Sequence, residues 1–519
     1  MRSATTPVSG ISLRRLFPRA QFFGASDIYL KSCCGDWRDC QPDDLFVAIQ
    51  DELGDGHEAV TAAIEKGAAG VLCERMLPIE LPQCVVPDTR QAYAQLCQTL
   101  AGNPSQILNT IAVTGSDGKT SIAHLLHSIL RAARLSSSII SSWETSGKSF
   151  GQYPAGRQRE NGLPPSDLAN WMCDMALAGH EAAIVEVSSL QLAKHQISGV
   201  LCDSVAVSNI RRSHLHYHNS VKNYRQINGR ILQHLKPGGI AAINLDDPVS
   251  HSMIHRMDVP AITYGIKQDA HLMATPLEQC PSEQTFLLAA GNEAVPVRTQ
   301  IIGISHVYNC LAAAATALAN NIDLPTIVRG LENVSRIPGR MDRVECGQNF
   351  AVYVDSANSP RRLSSALHAV KRVTSGQLIA LVDSGPGPRS LRRELGRVLE
   401  RHSSVRIITA NQAPTDQHLE TAHQVLDGFN EPARARIIPN RLQAIEWALA
   451  QAQPGDSVVL TGWGTQPVCF LDDGRWELTD REICQAWLYD QPISPIADSL
   501  HDNFDSHSPQ IFRIEDFRR

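Results

Sequence analysis

Along most of this chain, short apolar runs alternate with stretches in which apolar residues recur every three or four positions. That is the pattern of strands interleaved with amphipathic helices. Three runs succeed one another between residues 182 and 244: Ala182-Ala-Ile-Val-Glu-Val187, Ser204-Val-Ala-Val-Ser208 and Gly239-Ile-Ala-Ala-Ile-Asn244. Their apolar residues are consecutive, so both faces of each strand need cover, which predicts a parallel sheet clad by helices. Ile111-Ala-Val-Thr114 reads as a further buried strand, followed by a helix from Thr120 to about Arg134 that ends near the serine run Ser136-Ser-Ser138. A mobile, Gly/Ser-rich connection is expected from there to about Pro165, then a helix over 167–178.

After Ile337-Pro-Gly-Arg340 the alternation becomes regular. Strands are predicted at 350–354, 378–382, 405–409, 435–438 and 457–461, with helices at about 360–372, 390–402, 417–428 and 440–452. This is the signature of a doubly wound α/β domain. No Gly-x-Gly-x-x-Gly follows its first strand, so a dinucleotide is not indicated. Before residue 107 a smaller α/β unit is expected: strands at 44–49, 68–73 and 83–87, and helices at 57–67 and 90–101. Beyond about 490 the chain is polar and aperiodic, the composition of a loose tail. The organisation expected is therefore three α/β domains, 10–106, 107–335 and 336–490, with a tail over 491–519.

Length and composition agree with this division. At 519 residues the chain exceeds what one core supports. Apolar content of 43% and charged content of 19% are those of a globular protein, and no apolar run reaches bilayer-spanning length. A formal charge of −6 gives no case for nucleic-acid or membrane binding through bulk electrostatics. The first residues, Met-Arg-Ser-Ala-Thr-Thr-Pro, lack an apolar signal core, so a cytoplasmic protein is expected. The thirteen cysteines are scattered, with Cys33 and Cys34 adjacent and no Cys-x-x-Cys pair. That spacing argues against a zinc site, and the odd count against a complete disulfide framework.

One stretch changes the picture from architecture to chemistry. In Ile111-Ala-Val-Thr-Gly115-Ser-Asp-Gly118-Lys119-Thr120-Ser121 a buried strand, a glycine turn and the opening of a helix follow directly on one another. Gly115 and Gly118 let backbone N–H groups approach an anion, and the helix N-terminus adds its positive end. Lys119 is placed for the outer phosphates and Thr120 for Mg²⁺. The usual phosphate loop has four residues between its first glycine and Gly-Lys; here there are two, Ser116 and Asp117.

In a parallel sheet, ligands collect beyond the C-terminal ends of the strands. At such ends stand Glu186, the pair Asn209 and His214, and the group Asn244, Asp246 and Asp247. A carboxylate inside Ile-Val-Glu-Val needs a partner to justify burial, and a metal is the favoured one. His214, His216 and His218 alternate in a way that suits a solvated surface run or a metal cluster, and taken alone the spacing favours the surface. Asp246-Asp-Pro248 reads by default as a turn. Arg340 and Asp355 lie far from the phosphate loop in sequence, where an arginine brought to ATP by a third domain and a plain surface arginine are equally good readings.

Taken in order, these motifs resemble the Mur ligases, the ATP-dependent amide ligases of peptidoglycan precursor synthesis, and most closely the MurE type. The resemblance spans about residues 10 to 490. It rests on Gly115-Ser-Asp-Gly-Lys-Thr120, Glu186-Val-Ser-Ser189, Asn209-Ile-Arg-Arg-Ser-His214-Leu-His-Tyr-His218, Asn244-Leu-Asp-Asp-Pro248, Pro338-Gly-Arg-Met-Asp342 and Asp355-Ser-Ala-Asn-Ser-Pro360. Asp36-Trp-Arg38 and Asp44-Leu-Phe-Val-Ala48 match the family in the first domain.

The resemblance implies ATP and Mg²⁺ as cofactors, and a UDP-N-acetylmuramoyl peptide and an amino acid as substrates of a monomeric enzyme. Lys119, Glu186, His214 and Arg340 would be catalytic, with Thr120, Glu186 and His214 on the metal. Gly115 to Ser121, Asn244, Asp247, Arg340 and Asp355 would hold the nucleotide. Asp36, Arg38, Ser188, Gln196 and Asn411 would meet the other substrates.

The departures from the family pattern are specific. The family's carbamoylated lysine aligns with Asn228 in Tyr224-Arg-Gln-Ile-Asn228, and a histidine with Leu190. An aspartate aligns with Ser213, a second histidine with Asn358, an arginine with Gln196, and Thr-Thr-Pro with Leu163-Pro-Pro165. The diaminopimelate-reading Asp-Asn-Pro-Arg is Ala410-Asn-Gln-Ala413 here, and Gly-Lys-Gly-His-Glu is Gly462-Trp-Gly-Thr-Gln466. Losing a bidentate arginine removes a strong orienting contact for a carboxylate. The expectation is thus an ATP-dependent ligase. The alternatives are a weakened ligase-like nucleotide binder and a ligase with changed substrates.

Overall fold

The computed structural model of the chain describes residues 10–51, 54–141, 145–146, 162–211, 220–254, 259–385, 387–410, 417–470 and 476–489. Two compact units divide it: Met1–Leu272 with Ala312–Ile327, and Met273–Leu311 with Val328–Arg519. The expected tail and most of the expected mobile connection before Pro165 lie outside the described residues.

The first unit contains two principal sheets. The smaller has the strand order Gln21–Phe23, Gln83–Val85, Gly70–Cys73, Leu45–Val47, Cys33–Cys34, parallel except at its first pair. Alternate residues feed opposite faces. Leu45, Val47 and Leu72 join Leu13 and Leu96 on one side, while Phe46 and Val71 join Val60 and Ala63 on the other. The helix Thr89–Leu100 begins where Asp88 accepts the Gln91 N–H at 2.9 Å, an N-cap that satisfies one of the free helix donors.

In the larger sheet the strand before the glycine turn, Asn109–Thr114, is central. It lies between Ala182–Val187, beyond which stands Ser137–Ile140, and Cys202–Val207, followed by Leu235–Asn244 and Ala261–Gly265; all run parallel. One face packs Ala112, Val185, Val207 and Ile243 against Trp171 and Met172 of the helix Pro165–Leu177. The helix Lys119–Ala132 buries Ile122, Leu125, Leu126 and Ile129, an i, i+3, i+4, i+7 stripe.

The serine run does not simply end this helix. Ser137–Ile140 is a buried strand whose two serines would be costly inside a sheet without partners. Ser137 Oγ has His127 Nδ1 at 2.9 Å and Ser138 Oγ has His180 Nε2 at 3.4 Å. Those contacts make a polar pair tolerable in a buried strand where the start of a mobile connection was expected.

The second unit carries the doubly wound sheet. Its order is Asp342–Val344, Ala351–Asp355, Ser457–Thr461, Leu378–Asp383, Val405–Thr409, Ala435–Ile437, parallel except for the first strand. Ala380 and Val382 face the helices Pro360–Lys371, Arg389–His402 and His418–Leu426, whereas Ile379 and Leu381 face Arg441–Gln451 and Asp480–Leu488. The last helix, capped reciprocally by Thr479 and Glu482, and an antiparallel hairpin of Gln284–Ala290 with Glu293–Thr299 were not anticipated from the sequence. Among the described residues no helix is long and apolar enough to cross a membrane.

Candidate active site

The phosphate loop stands at the C-terminal end of the central strand and is held by the neighbouring strand's continuation, 208–211. Ser116 N–H donates to the Asn209 carbonyl at 2.8 Å. Ser208 Oγ and Asn209 Nδ2 both donate to the Asp117 carbonyl, at 2.6 and 3.2 Å. Ser116 Oγ contacts the Arg211 main chain through both its N–H and carbonyl, and lies 2.7 Å from the Tyr224 hydroxyl. A rigid loop results, with its shape set before any anion arrives.

Gly115 has φ +136°, and a Cβ there would lie 2.0 Å from Ser208 Oγ. Only glycine fits so close an approach. Gly118, at φ +89°, is the N-cap of the helix Lys119–Ala132, so the first N–H groups of that helix belong to the loop. Lys119 Nζ donates to the Gly115 carbonyl at 2.8 Å, which keeps its charge against the loop.

Thr120 Oγ1 donates to Glu186 Oε2 at 3.2 Å, and Glu186 is 7% exposed. The strand register explains the meeting: Glu186 pairs with Val113, so its side chain emerges beside the loop. A hydroxyl and a buried carboxylate are hard oxygen donors and suit Mg²⁺. His214, the third expected ligand, lies outside the described residues.

Asn244 and Asp247 are placed as braces. Asn244 Nδ2 donates to the Ser208 carbonyl at 3.0 Å, and Asp247 Oδ2 accepts from Ile210 N–H, Ser250 N–H and Ser250 Oγ within 3.1 Å. The Arg211 guanidinium lies 3.6 Å from Asp247. The end of Leu235–Asn244 thus fixes 208–211, and 208–211 fixes the phosphate loop.

In the second unit, Arg340 sits in a strained turn. Gly339 and Met341 have φ of +63° and +48°. A Cβ on Gly339 would come 2.9 Å from the Gly464 Cα and the Thr465 nitrogen, so the two turns interlock. Asp355 Oδ2 accepts the Met341 N–H at 2.8 Å, and Ser356 N–H donates to the Gly339 carbonyl at 2.9 Å. Burial pushes the Asp355 carboxyl up, opposed by Arg340, the Met341 N–H and Arg362. Asp355 therefore holds the turn that presents Arg340.

The residues expected to meet the other substrates are more dispersed. Asp36 and Arg38 form an exposed bidentate pair, with Arg38 Nη2 2.6 Å from Asp36 Oδ2, and this arginine holds the Asp36 carboxyl below its usual range. Ser188 is the N-cap of Ser189–Ala193 in a reciprocal capping box with Gln191. Its signal, Ser-x-x-Gln, was present in the sequence. Gln196 Oε1 is buried with no donor partner among the described residues. Its neighbours His195 and Ile197 line a cavity of about 590 Å³ with Gln95, Arg230 and His234, at the N-terminal side of Cys202–Val207. Asn411 lies outside the described residues. Asn228 is fully buried, and its Nδ2 turns back to the Tyr224 carbonyl at 2.8 Å. Tyr224 is the contributor that sequence reasoning missed; nothing in an isolated helical tyrosine signals a bond to the phosphate loop.

A parallel sheet with a rigid anion-binding loop, a buried carboxylate beside its threonine and a separate doubly wound unit define a phosphate-loop α/β enzyme. Residues 113–317 match the Mur ligase middle domain, and residues 339–464 the Mur ligase, glutamate ligase domain. A UDP-N-acetylmuramoyl-L-alanyl-D-glutamate–2,6-diaminopimelate ligase of Geobacillus thermodenitrificans is 32% identical over 461 residues, 87% of this chain and 93% of that protein. The chain belongs to the Mur ligase family, and it is a ligase of that type.

The ligase of the same name from Bacillus licheniformis is 29% identical over 476 residues, 89% of this chain and 96% of that one. Among solved structures, one UDP-N-acetylmuramoyl-L-alanyl-D-glutamate–2,6-diaminopimelate ligase has a TM-score of 0.67 at 24% identity, covering 92% of this chain and 99% of that one. A MurF ligase from Thermotoga maritima, in complex with ADP, has a TM-score of 0.60 at 17% identity, covering 88% and 98%. These two likenesses are of fold.

Proposed function

We propose that this chain uses ATP to join an amino acid to the terminal carboxyl of a UDP-N-acetylmuramoyl peptide, a step of peptidoglycan precursor synthesis, as a cytoplasmic monomer. Residues 10–106 bind the UDP substrate, 107–335 bind ATP and 336–490 bind the amino acid. A carboxylate oxygen attacks the γ-phosphorus and ADP leaves. The amine nitrogen then attacks the acyl carbon, phosphate leaves with that carboxylate oxygen, and the amine sheds a proton to form the amide.

The chain's own groups serve charge and position. The N–H groups from Gly115 to Ser121 cradle the phosphates, and Lys119 and Arg340 oppose the charge on the transferring group. Thr120, Glu186 and His214 hold Mg²⁺, which supplies charge neutralisation to the phosphates when bound. Asn244, Asp247 and Tyr224 keep the loop in shape. Asp36, Arg38, Ser188, Gln196 and Asn411 orient the two remaining substrates.

The observation that carries this reading is the prebuilt loop, with Thr120 Oγ1 3.2 Å from a buried Glu186. Phosphate release should require Mg-ATP, a UDP-N-acetylmuramoyl dipeptide and one amino acid of a panel together. ATP binding without any substrate-dependent release would overturn it. That outcome would favour a second reading, slow or absent ligation, which draws on Asn228: its neutral amide is turned into its own helix.

A further inference from the structure

Two of the cysteines that look scattered in sequence, Cys34 and Cys40, come together in space. Cys34 ends the strand Cys33–Cys34, Cys40 follows the short helical turn Trp37–Asp39, and Asp44 precedes Leu45–Val47, the parallel partner of Cys33–Cys34. The two sulfurs and one Asp44 carboxylate oxygen lie within 4.8 Å of one another, and no other group of three or more His, Cys, Asp or Glu among the described residues is so close. All three residues are buried, at 7%, 3% and 6% exposure.

The carboxylate is oriented by its neighbours. Asp44 Oδ2 accepts the Gln41 N–H at 2.8 Å and Oδ1 accepts the Ser32 hydroxyl, which leaves each oxygen a second lone pair. Such outer bonds are what fix a metal-ligating carboxylate. The Cys40 sulfur shares a hydrogen bond with the Cys34 sulfur, and its main-chain contacts are long, 3.8 Å to the Gln41 carbonyl and 3.9 Å to that of Ala63. Burial, then Cys40 and Asp44, push the Cys34 thiol up. Two thiolates bound to one tetrahedral ion at about 2.3 Å stand about 3.8 Å apart, a separation this cluster allows.

We propose that Cys34, Cys40 and Asp44 form a binding site for a tetrahedral, borderline-soft divalent metal ion of the zinc class. Each thiol yields its proton to solvent as its sulfur–metal bond forms, and water completes the fourth position. The ion closes the segment Gly35–Asp39, which contains the Asp36–Arg38 pair, into a ring. Its role is therefore to fix that segment, separate from phosphoryl transfer. The spacing Cys-x5-Cys-x3-Asp matches no common zinc pattern, which is why the sequence argued against a site.

Titration of the reduced full-length protein with Co²⁺ tests this. A thiolate-to-cobalt charge-transfer band should grow to one equivalent and be displaced by Zn²⁺. Cys34→Ser and Cys40→Ser should each abolish it, Asp44→Asn should weaken binding at least tenfold, and Cys33→Ser and Cys97→Ser should leave it intact. No band in the wild-type protein, which needs no variant to fold, overturns the proposal. A band that survives both Cys34→Ser and Cys40→Ser does the same.

Discussion

Both units end their parallel strands in polar residues, and they use them in opposite ways. In the first unit, Ser208, Asn209, Asn244 and Asp247 spend their hydrogen bonds on main chain, so the loop from Gly115 to Ser121 keeps one shape with helix N–H groups at its mouth. In the second, Asp355 still holds main chain, but another strand end and the helix starts Arg441 and Asp480 are tied largely side chain to side chain. Asp383 accepts from Gly385 N–H, Thr409 Oγ1 and the Trp463 indole N–H at 2.8 to 3.0 Å. Arg441 and Asp480, both 0% exposed, form a bidentate pair of 2.7 and 2.5 Å, and Arg441 also donates to the Thr461 carbonyl. The first arrangement prepares for an anion and the second closes a fold. Buried polar residues at strand ends therefore mark a site only when their partners leave donors to spare.

Substitutions can break this contrast. Lys119→Ala should lower substrate-dependent phosphate release about a thousandfold while leaving the circular dichroism unchanged, since Lys119 Nζ holds its charge against the Gly115 carbonyl of the loop. Asp480→Ala should do the reverse. Stranding the Arg441 charge should cost about 3–5 kcal/mol in urea unfolding, read at the second unit's transition. Gly115→Ala forces a Cβ onto Ser208 Oγ and should weaken ATP binding at least tenfold by calorimetry with little loss of global stability.

Smaller effects sharpen it. His306, buried at 5% exposure, has its pKa pushed down to about 4 by burial. Between that value and the ordinary 6.5, the unfolded chain binds the extra proton and the folded one does not. Stability of the second unit should then fall as pH drops through this window, by about 1.4 kcal/mol per pH unit at most, and His306→Gln should flatten the slope. Tyr224→Phe removes one bond to Ser116. It should cost about 1 kcal/mol, seen as a few-fold rise in KM for ATP with kcat nearly unchanged.

The legible parts of the chain are those in which one physical demand dominates. Each of the five parallel strands of the doubly wound sheet was placed within one residue, and for the three inner ones, Ala351–Asp355, Leu378–Asp383 and Ser457–Thr461, burial on both faces forces continuous apolar runs. The phosphate loop was legible because backbone approach demands glycine. Ser137–Ile140 was not, since its polarity is offset by histidines 10 and 42 residues away. The hairpin of Gln284–Ala290 with Glu293–Thr299 alternates in burial, but its residue types do not follow: polar Gln284 is buried and Leu287 only half-buried, so no apolar period of two shows in the sequence. At the site, Glu186 stood out as a carboxylate in an apolar run. The bracing roles of Asn244, Asp247 and Asp355 depend on which main-chain groups the fold brings near, and no local pattern encodes that.

The central claim, ligation through an acyl phosphate, is tested most directly by isotope transfer. With Mg-ATP, an acceptor amino acid and a UDP-N-acetylmuramoyl dipeptide carrying ¹⁸O in its terminal carboxyl, the released phosphate should contain one labelled oxygen, in step with the amide product. Unlabelled phosphate, or labelled product without phosphate release, would contradict the account.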